Sequence, residues 1–380
     1  MTPRRMFLSG SFAAMWRSST PLAARSRSVL AWSALSFLLL YLLGAYFVEK
    51  GPGKARDPEF AAKFERLQAR LQEHPQQPLI LMLGSSRTLL MLDAGSLHVN
   101  WDGTPAQVFN FGMKGSGPLL ELLCLERLLK AGVRPDLLVL EVFPALYNRP
   151  RDRSLEEVWF QEGRLRHAEV TELRPFHSDT HRIWRRWLRF RLKPWGGIER
   201  SLEDYLDPLG PDRPDHPGDY DMSVIDPYGW EPHFRTGITD AQRAYYREIA
   251  KNQYHSAMGP YEPAANAFAA LHAILDTCEQ NHLPVAMVMM PEGPFFRSFY
   301  PPGMQEQLAE TFAKISKDRK ILLVNARDWV PEQELYDGHH ALPPGAARFS
   351  QRLQQEVLVP LVNCLPLRND HRVAEFGPGS

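Results

Sequence analysis

Hydrophobic positions fall into three patterns along the chain. The first is an uncharged stretch of twenty residues, Val29–Val48, which is about the length that an α-helix needs to cross the hydrocarbon core of a bilayer. The second is a charged segment from Asp57 to Glu73, which predicts a helix with Asp57 as its N-cap and Pro58 at its first position. The third pattern, beyond this helix, is an alternation of short apolar runs with helical periodicity.

Five of these apolar runs predict β-strands. Continuous apolar runs of this length are typical of strands that are buried on both faces of a parallel sheet. The predicted strands are Leu79–Leu83, Val108–Phe111, Leu137–Val142, Val285–Met290 and Ile321–Val324. Helical patterns lie between and after them, at Pro118–Ala131, Glu262–Gln280, Met304–Lys317 and Pro344–Val357. The alternation predicts a three-layer α/β domain with a parallel sheet and right-handed crossovers.

These patterns divide the chain into five parts. We expect a basic leader at 1–28, a transmembrane signal anchor at 29–48, and a linker with the charged helix at 49–78. An α/β domain follows at 79–365, and a tail ends the chain at 366–380. Residues at about 147–259 break the strand–helix rhythm and are rich in Pro, Trp, Arg and Asp. We interpret them as an insertion, in which the stretch Asp207–Asp221 predicts a loop.

Charge before the apolar stretch predicts its orientation. Five arginines and no acidic residue precede it, namely Arg4, Arg5, Arg17, Arg25 and Arg27. The positive-inside rule then predicts a cytoplasmic N-terminus and an extracytoplasmic main domain, either periplasmic or at the cell surface. The long leader and the lack of an A-x-A-like site favour a signal anchor over a cleaved signal peptide.

Overall composition excludes several other classes of protein. The chain has 44 Lys and Arg against 44 Asp and Glu, and this neutral balance argues against a nucleic-acid binder. Its three cysteines, Cys124, Cys278 and Cys364, are far apart and form no CxxC pair. That spacing excludes a zinc ribbon and a thioredoxin-type motif, so we expect free thiols.

Polar residues follow three of the predicted segments, at the sheet edge where ligands bind in open parallel sheets. Gly84–Arg87 follows the first strand, Asn110–Gly117 overlaps the end of the second, and Asp337–Ala346 follows the last. A serine becomes a nucleophile when a base takes its proton, and the base works best when a carboxylate orients it. The segments bring a serine, a histidine and an aspartate to one edge of the sheet.

Other roles for these residues are also open at the sequence level. Arg87, beside the serines, either binds an anionic substrate group or pairs with a carboxylate, and Asn110 is a candidate substrate-binding residue. Asp337, His339 and His340 are of types that ligate metals, but no HExxH motif or cysteine pair accompanies them. We therefore predict no metal and no cofactor.

The ordered set of motifs resembles the SGNH (GDSL-like) hydrolase superfamily over about Leu79–Val142 and Val285–Val359. The resemblance implies a flavodoxin-like three-layer fold of the SGNH hydrolase type. It also implies that Ser86 is the nucleophile, that His340 is the base and that Asp337 orients His340. The oxyanion hole would be formed by Gly115 and the backbone amide of Ser86.

One position departs from that family's pattern. The third block of the family normally carries an oxyanion-hole Asn, and Ala145 lies about where it should fall. The loss of one such donor costs ~10²–10³-fold in rate, unless the Ser86 amide or Asn148 substitutes. Three functions therefore stay open. The first is a serine esterase or O-acyltransferase, and the second is a degenerate SGNH-like domain that serves as a carbohydrate-binding or scaffolding subunit of an envelope acylation complex. The third is a membrane-anchored structural protein in which the serine and the histidine are incidental.

The Gly-Ser-Ser motif and the membrane anchor are similar to those of the membrane-anchored acyl-transfer branch of the superfamily. That branch includes proteins of alginate O-acetylation and of D-alanine transfer onto teichoic acid. The similarity implies an acyl ester, such as an acetyl ester, of a cell-envelope glycan or lipid as substrate. It also implies the cell membrane and a membrane-bound O-acyltransferase as partners, and no nucleic acid.

A basic and aromatic segment, His181–Trp195, lies within the insertion. It carries six basic residues and no acidic one, and at helical spacing most of the basic residues lie opposite the apolar ones. Such a helix suits an anionic membrane surface or an acidic partner. It is equally typical of a surface helix whose aromatic residues pack on the domain.

Overall fold

The structure is a computed structural model, which describes residues 21–50, 56–150, 153–192, 224–234, 237–254 and 258–367. The first three arginines of the leader, the Asp207–Asp221 stretch and the tail beyond residue 367 lie outside the described residues. The boundaries expected for the insertion and for the tail therefore stay predictions.

Two helices precede the sheet. Helix α1, Pro21–Lys50, contains a window, Arg25–Tyr46, that is long and apolar enough to cross a membrane. Helix α2, Pro58–Glu73, begins as predicted: the Asp57 carboxylate accepts a hydrogen bond from the Phe60 N–H, and Pro58 occupies the first turn. The N-terminal apolar helix is thus present, as a signal sequence or an anchor.

The sheet has six strands in the order β2-β3-β1-β4-β5-β6. Every neighbouring pair is parallel except β2 and β3, which are antiparallel. The strands are β1 Leu79–Gly84, β2 Val99–Trp101, β3 Thr104–Gly112, β4 Leu137–Glu141, β5 Val285–Met289 and β6 Leu322–Asn325. The α/β class predicted from the apolar runs is confirmed, with the short β2 as an additional edge strand.

Helices cover both faces of the sheet and enclose two hydrophobic cores. On one face the core includes Leu123, Leu271 and Phe312, and on the other it includes Trp101 and Phe349. The further helices are α3 Ser86–Met91, α4 Pro118–Lys130, α5 Leu155–Trp159, α6 His167–Leu173, α7 Thr180–Arg191, α8 Asp240–Tyr254, α9 Ala265–Gln280, α10 Pro294–Arg297, α11 Met304–Arg319, α12 Pro343–Leu353 and α13 Val359–Cys364. Strands buried on both faces need an apolar side chain at nearly every position, which explains the continuous apolar runs.

The strand order fixes the position of the site. After β1 the chain adds β3 on one side, and it then adds β4 on the other. The carboxyl end of β1 therefore lies at a topological switch point, where open α/β sheets form a ligand crevice. In the register of the sheet, Gly84 at the end of β1 lies beside Gly112 at the end of β3.

Candidate active site

Three side chains form a hydrogen-bonded chain at this edge of the sheet. The Ser86 Oγ lies 2.8 Å from Nε2 of His340, and Nδ1 of the same ring lies 2.6 Å from Oδ2 of Asp337. The Asp337 carboxylate also accepts the backbone N–H groups of His339 and His340. An ionised Asp337 requires the proton on Nδ1, which leaves Nε2 free to accept the proton of Ser86. The arrangement is that of a nucleophile, a base and an orienting acid.

The pKa of Asp337 is held well below its ordinary value. Burial alone would raise the pKa of this carboxyl, because desolvation disfavours the charged form. The two neighbouring imidazoles and the hydrogen bonds from His340 and the His339 backbone outweigh that effect. Asp337 is therefore ionised at neutral pH and holds the His340 ring in one orientation.

A buried carboxylate shapes the serine turn. Glu141, the last residue of β4, accepts hydrogen bonds from the Ser85 N–H at 2.8 Å, the Ser85 hydroxyl at 2.9 Å and the Thr88 hydroxyl at 2.6 Å. The Ser85 hydroxyl in turn caps α3 by accepting the Arg87 N–H. Ser85 is thus buried and points into the protein, whereas the partly exposed Ser86 is directed toward His340.

Gly84 is required by the closeness of this turn. A Cβ atom there would lie 2.1 Å from the Thr88 Oγ1 and 2.5 Å from the Glu141 Oε2. Both distances are far shorter than atomic contacts allow, so a side chain at residue 84 would displace the groups that hold the serine turn.

Arg87 is buried in an ion-pair network. Its guanidinium donates to the Glu292 Oε1 at 3.2 Å and to the Met290 carbonyl at 2.7 Å, and its Nε lies 3.7 Å from Glu141. It also lies over the Phe143 ring, 4.1 Å from the centroid. Of the two roles expected for Arg87, the structure therefore favours the pairing with carboxylates. Its guanidinium is not exposed to a substrate.

Asn110 likewise has a structural position, which does not favour the role in substrate binding that the sequence suggests. The side chain is fully buried in β3. Its amide donates to the carbonyls of Thr88 and Leu92, each at 2.8 Å, and its Oδ1 accepts the Gly112 N–H. The residue fastens the serine helix α3 to the neighbouring strand, and its polar atoms face backbone rather than the crevice.

The backbone amides expected for an oxyanion hole lie at adjacent strand ends. Ser86 is two residues past β1 and Gly115 is three residues past β3. Gly115 has φ of +68°, a conformation that glycine adopts at little cost. Among the described residues, neither amide N–H donates a hydrogen bond within the protein. Both are partly exposed and can donate to a substrate.

Neither Ala145 nor Asn148 supplies a free side-chain donor to the crevice. Ala145 is buried in a short 3₁₀ turn, Pro144–Tyr147. Asn148 is also buried, and its amide donates to the Gly259 carbonyl while its Oδ1 accepts the Glu262 N–H. These bonds tie Asn148 to the chain before α9. Asn148 is therefore not free to donate to an oxyanion in the crevice.

His339 lies next to His340, in a cluster of aromatic side chains. Its ring is fully buried between Phe296, at 4.2 Å between centroids, and Tyr254, at 4.9 Å. Nδ1 lies 3.3 Å from Oδ1 of Asp337, but neither ring nitrogen forms a hydrogen bond. Burial lowers the pKa of His339 well below its ordinary value, although the nearby Asp337 carboxylate opposes that shift.

Ligand atoms of Asp337, His339 and His340 lie within 4.8 Å of one another, and such a group can hold a metal ion. Two of the three side chains are already engaged, because His340 joins Asp337 to Ser86. The geometry therefore fits a serine-based site more completely than a metal centre.

Aromatic residues from the segment between β4 and α9, together with Tyr336, lie next to residues of the site. Trp159 lies beside Gly115, 3.6 Å from where a Cβ would be, and makes an edge contact with Tyr254. On the other side, Tyr336 stacks on His340 and in turn contacts Phe234. The predicted insertion thus contributes side chains to the walls of the crevice, in addition to the motifs recognised in the sequence.

Two carboxylates of the site were not among the residues predicted from the sequence. Glu141 ends the strand run LLVLE, and Glu292 follows the strand run VAMVMM. A carboxylate at the end of an otherwise apolar, buried strand indicates that a cationic partner lies nearby, because an unpaired carboxylate is rarely buried. Their shared partner, Arg87, lies distant in sequence, and the pairing became visible only in the fold.

Comparisons with known proteins add little at the level of function. Residues 60–164 match a family model described as a protein of unknown function, DUF1574. No curated protein matches the sequence. A crystal structure of a "putative acylhydrolase" from Bacteroides fragilis is similar, with 12% identity and a TM-score of 0.35, over 78% of this chain and 96% of that one. That likeness identifies neither a substrate nor an activity.

Proposed function

We propose that this protein is a membrane-anchored, extracytoplasmic serine esterase or O-acyltransferase. The observation that carries the proposal is the chain of short hydrogen bonds from the Ser86 Oγ through His340 to Asp337. A serine hydroxyl that lies on the free nitrogen of an imidazole, with a buried carboxylate behind that imidazole, is the arrangement that activates serine as a nucleophile.

In the proposed reaction, the Ser86 Oγ attacks the carbonyl carbon of an ester while its proton passes to Nε2 of His340. The amides of Ser86 and Gly115 donate to the oxygen that gains negative charge. The tetrahedral intermediate collapses, the bond to the leaving alkoxide breaks, and His340 returns the proton to that alkoxide. An acyl group is then bound to the Ser86 oxygen.

The second half of the reaction reverses these roles. A water molecule or a hydroxyl of a second substrate gives its proton to His340 and attacks the acyl carbon. The bond to Ser86 then breaks, and His340 returns the proton to the Ser86 oxygen. Water yields a carboxylic acid, and an acceptor hydroxyl yields a new ester.

The substrate class follows from location. The apolar window Arg25–Tyr46 and the five arginines before Val29 favour an uncleaved anchor that leaves the main domain outside the cytoplasm. Acyl esters on glycans or lipids of the cell envelope are substrates within reach of such a domain, and a membrane-bound O-acyltransferase is a fitting partner.

One observation favours a second function, that of a degenerate carbohydrate-binding or scaffolding subunit. Ala145 lies in place of the expected Asn, and Asn148 is bonded elsewhere. A crevice with one donor fewer would stabilise an oxyanion less well. In this alternative, Ser86 and His340 would bind a glycan hydroxyl without forming a covalent bond.

The two functions differ in whether Ser86 becomes acylated. The full-length protein in detergent is incubated with p-nitrophenyl acetate, and its mass is followed together with p-nitrophenolate release. We expect a mass increase of one acetyl group that is lost slowly to water and faster when an acceptor hydroxyl is added. A protein that stays unmodified and releases no p-nitrophenolate above the His340→Ala variant would favour the binding subunit.

A further inference from the structure

We propose that the outward face of helix α7 lies on an anionic lipid surface and holds the catalytic domain against the membrane. The proposal rests on the anchor role given to α1 under the proposed function. It adds a second, peripheral membrane contact formed by the domain itself.

Direct contacts join α7 to the end of α1. The Tyr41 hydroxyl donates to the Arg191 carbonyl at 3.3 Å, and the Arg191 guanidinium binds the Glu49 carboxylate at 2.9 and 3.1 Å. Glu49 also accepts the His167 N–H of α6. The C-terminal end of α7 is thus fixed to the last turns of α1.

These contacts set the depth of α7 relative to the bilayer. Tyr41 lies inside the apolar window Arg25–Tyr46, and Glu49 lies just beyond it. The two residues are separated by about 12 Å along the helix axis, at about 1.5 Å per residue. A helix that touches both of them therefore ends at the level of the headgroups, where the hydrocarbon core gives way to water.

The face of α7 that points away from the domain is unusually apolar. Ile183 and Trp187 pack into the core. Trp184, Leu188 and Leu192, spaced four residues apart, are 41%, 41% and 57% exposed. Among the described residues beyond α1, four of the seven exposed large apolar side chains belong to α7 and its C-cap: Trp184, Leu188, Phe190 and Leu192, against Val158, Tyr245 and Leu322 elsewhere.

Arginines run beside this apolar stripe. Arg185 and Arg189 lie on the exposed side of α7, and with Arg182 and Arg186 they line an open cavity of about 420 Å³. Acidic neighbours compensate only part of this charge, since Arg186 pairs with Glu162 at 2.9 Å and Arg185 lies 3.6 Å from Asp179. Guanidinium groups bind phosphate oxygens in a bidentate manner.

The combination specifies a lipid surface rather than an acidic protein. An interfacial helix inserts Trp and Leu at the boundary of the acyl chains and binds anionic headgroups with the basic residues beside them. The contact with α1 places α7 at that boundary. There the apolar stripe would contact the acyl chains, and the arginines would bind the anionic headgroups. An acidic protein partner would not require the position beside Tyr41.

The test uses the full-length protein in bilayer discs of phosphatidylcholine, alone or mixed with phosphatidylglycerol. Cys364 is changed to Ser, while Cys124 and Cys278 are buried and have pKa values raised by burial. A nitroxide is attached at Leu188→Cys, and its collision with oxygen is compared with its collision with a water-soluble nickel chelate. Two reference labels are attached in the same way: Leu39→Cys in α1 gives the signal expected in lipid, and Tyr245→Cys in α8 gives the signal expected in water.

With phosphatidylglycerol present, we expect the Leu188 label to resemble the Leu39 label, with a several-fold preference for oxygen, while the Tyr245 label prefers the chelate. Removing the anionic lipid, or introducing Arg185→Glu with Arg189→Glu, is expected to move the Leu188 label toward water.

A Leu188 label in water beside a Leu39 label in lipid would overturn the proposal and leave the anchor intact. Water exposure at both positions would overturn the proposal together with the anchor. If the Leu188 label is in lipid but its preference for oxygen changes neither when the anionic lipid is removed nor when both Arg→Glu changes are made, the proposed binding of anionic headgroups is overturned.

Discussion

The Ser85 hydroxyl lies 2.9 Å from Oε1 of Glu141, and this contact gives two adjacent serines different orientations. Ser85 is turned into the protein, where it caps α3 and binds the carboxylate at the end of β4. Its neighbour Ser86 lies at the sheet edge, where its hydroxyl oxygen is 2.8 Å from Nε2 of His340. The orientation of the Ser85–Ser86 turn thus depends on a buried acid in another strand.

Glu141→Gln is expected to destabilise this turn. The substitution keeps the shape of the side chain but replaces one of its two acceptor oxygens by an NH₂ group. If the NH₂ group takes the place of Oε2, the Ser85 N–H and the Thr88 hydroxyl lose their acceptor, and if it takes the place of Oε1, it faces the Arg87 Nε, which it cannot accept. A buried donor left without a partner costs about 1–3 kcal/mol, so thermal unfolding should occur at lower temperature and esterase activity should fall. Glu310→Gln on the exposed side of α11 is the control, and equal losses in both variants would contradict the role given to Glu141.

The adjacent histidines are expected to respond differently to substitution. His340→Ala removes the base and should reduce hydrolysis of p-nitrophenyl acetate by several orders of magnitude. His339→Phe should retain most activity and equal or exceed the thermal stability of the unmodified protein, because the ring stays in its aromatic cluster and two unbonded nitrogens are removed. A loss of activity confined to the His339 variant would show that the base is assigned to the wrong histidine.

The Asp337 carboxylate predicts a specific acid response. Its pKa in the folded protein is depressed, whereas in the unfolded chain it is about 3.9. Its stabilising contribution is therefore fully present above that value and is lost as the pH falls through it toward the folded pKa. The difference in melting temperature between the unmodified protein and Asp337→Asn should therefore shrink as the pH falls from about 4 toward the folded pKa. A difference that does not shrink in this acid range would contradict the depressed pKa of Asp337.

Topology gives an independent prediction. If α1 is an anchor with the arginines on its cytoplasmic side, a reporter fused after Ser380 lies outside the cytoplasm. Alkaline phosphatase fused there should be active, and a fluorescent protein that folds only in the cytoplasm should be dark. The reverse pattern would overturn the extracytoplasmic placement of the domain.

The sequence was most informative where one physical requirement determines the residues. Strands buried on both faces must be apolar throughout, so the bounds of β1, β4 and β5 were predicted to within about one residue. Strand β2 was not predicted, because Val99–Trp101 is only three residues long and alternates buried and exposed positions. A run that short has no distinctive periodicity.

Side-chain roles that depend on distant partners were less predictable. The environment of Arg87 is defined by Glu141 and Glu292, which approach it only through the strand order β1-β4-β5. Asn110 lies next to a glycine-rich turn and so resembles a ligand-binding residue. In the fold, however, its side-chain amide donates to backbone carbonyls of α3 and its C-cap. Motif spacing locates the sheet edge, but packing decides which polar groups there remain accessible.

The central claim is that Ser86 is an activated nucleophile, and labelling with a serine-reactive fluorophosphonate tests it most directly. The full-length protein is compared with Ser86→Ala and, as a matched control one residue away, Ser85→Ala. We predict strong labelling of the unmodified protein, none of Ser86→Ala, and substantial labelling of Ser85→Ala, reduced because the Glu141 contact is lost. Labelling that persists in Ser86→Ala, or that is absent from the correctly folded unmodified protein, would contradict the account.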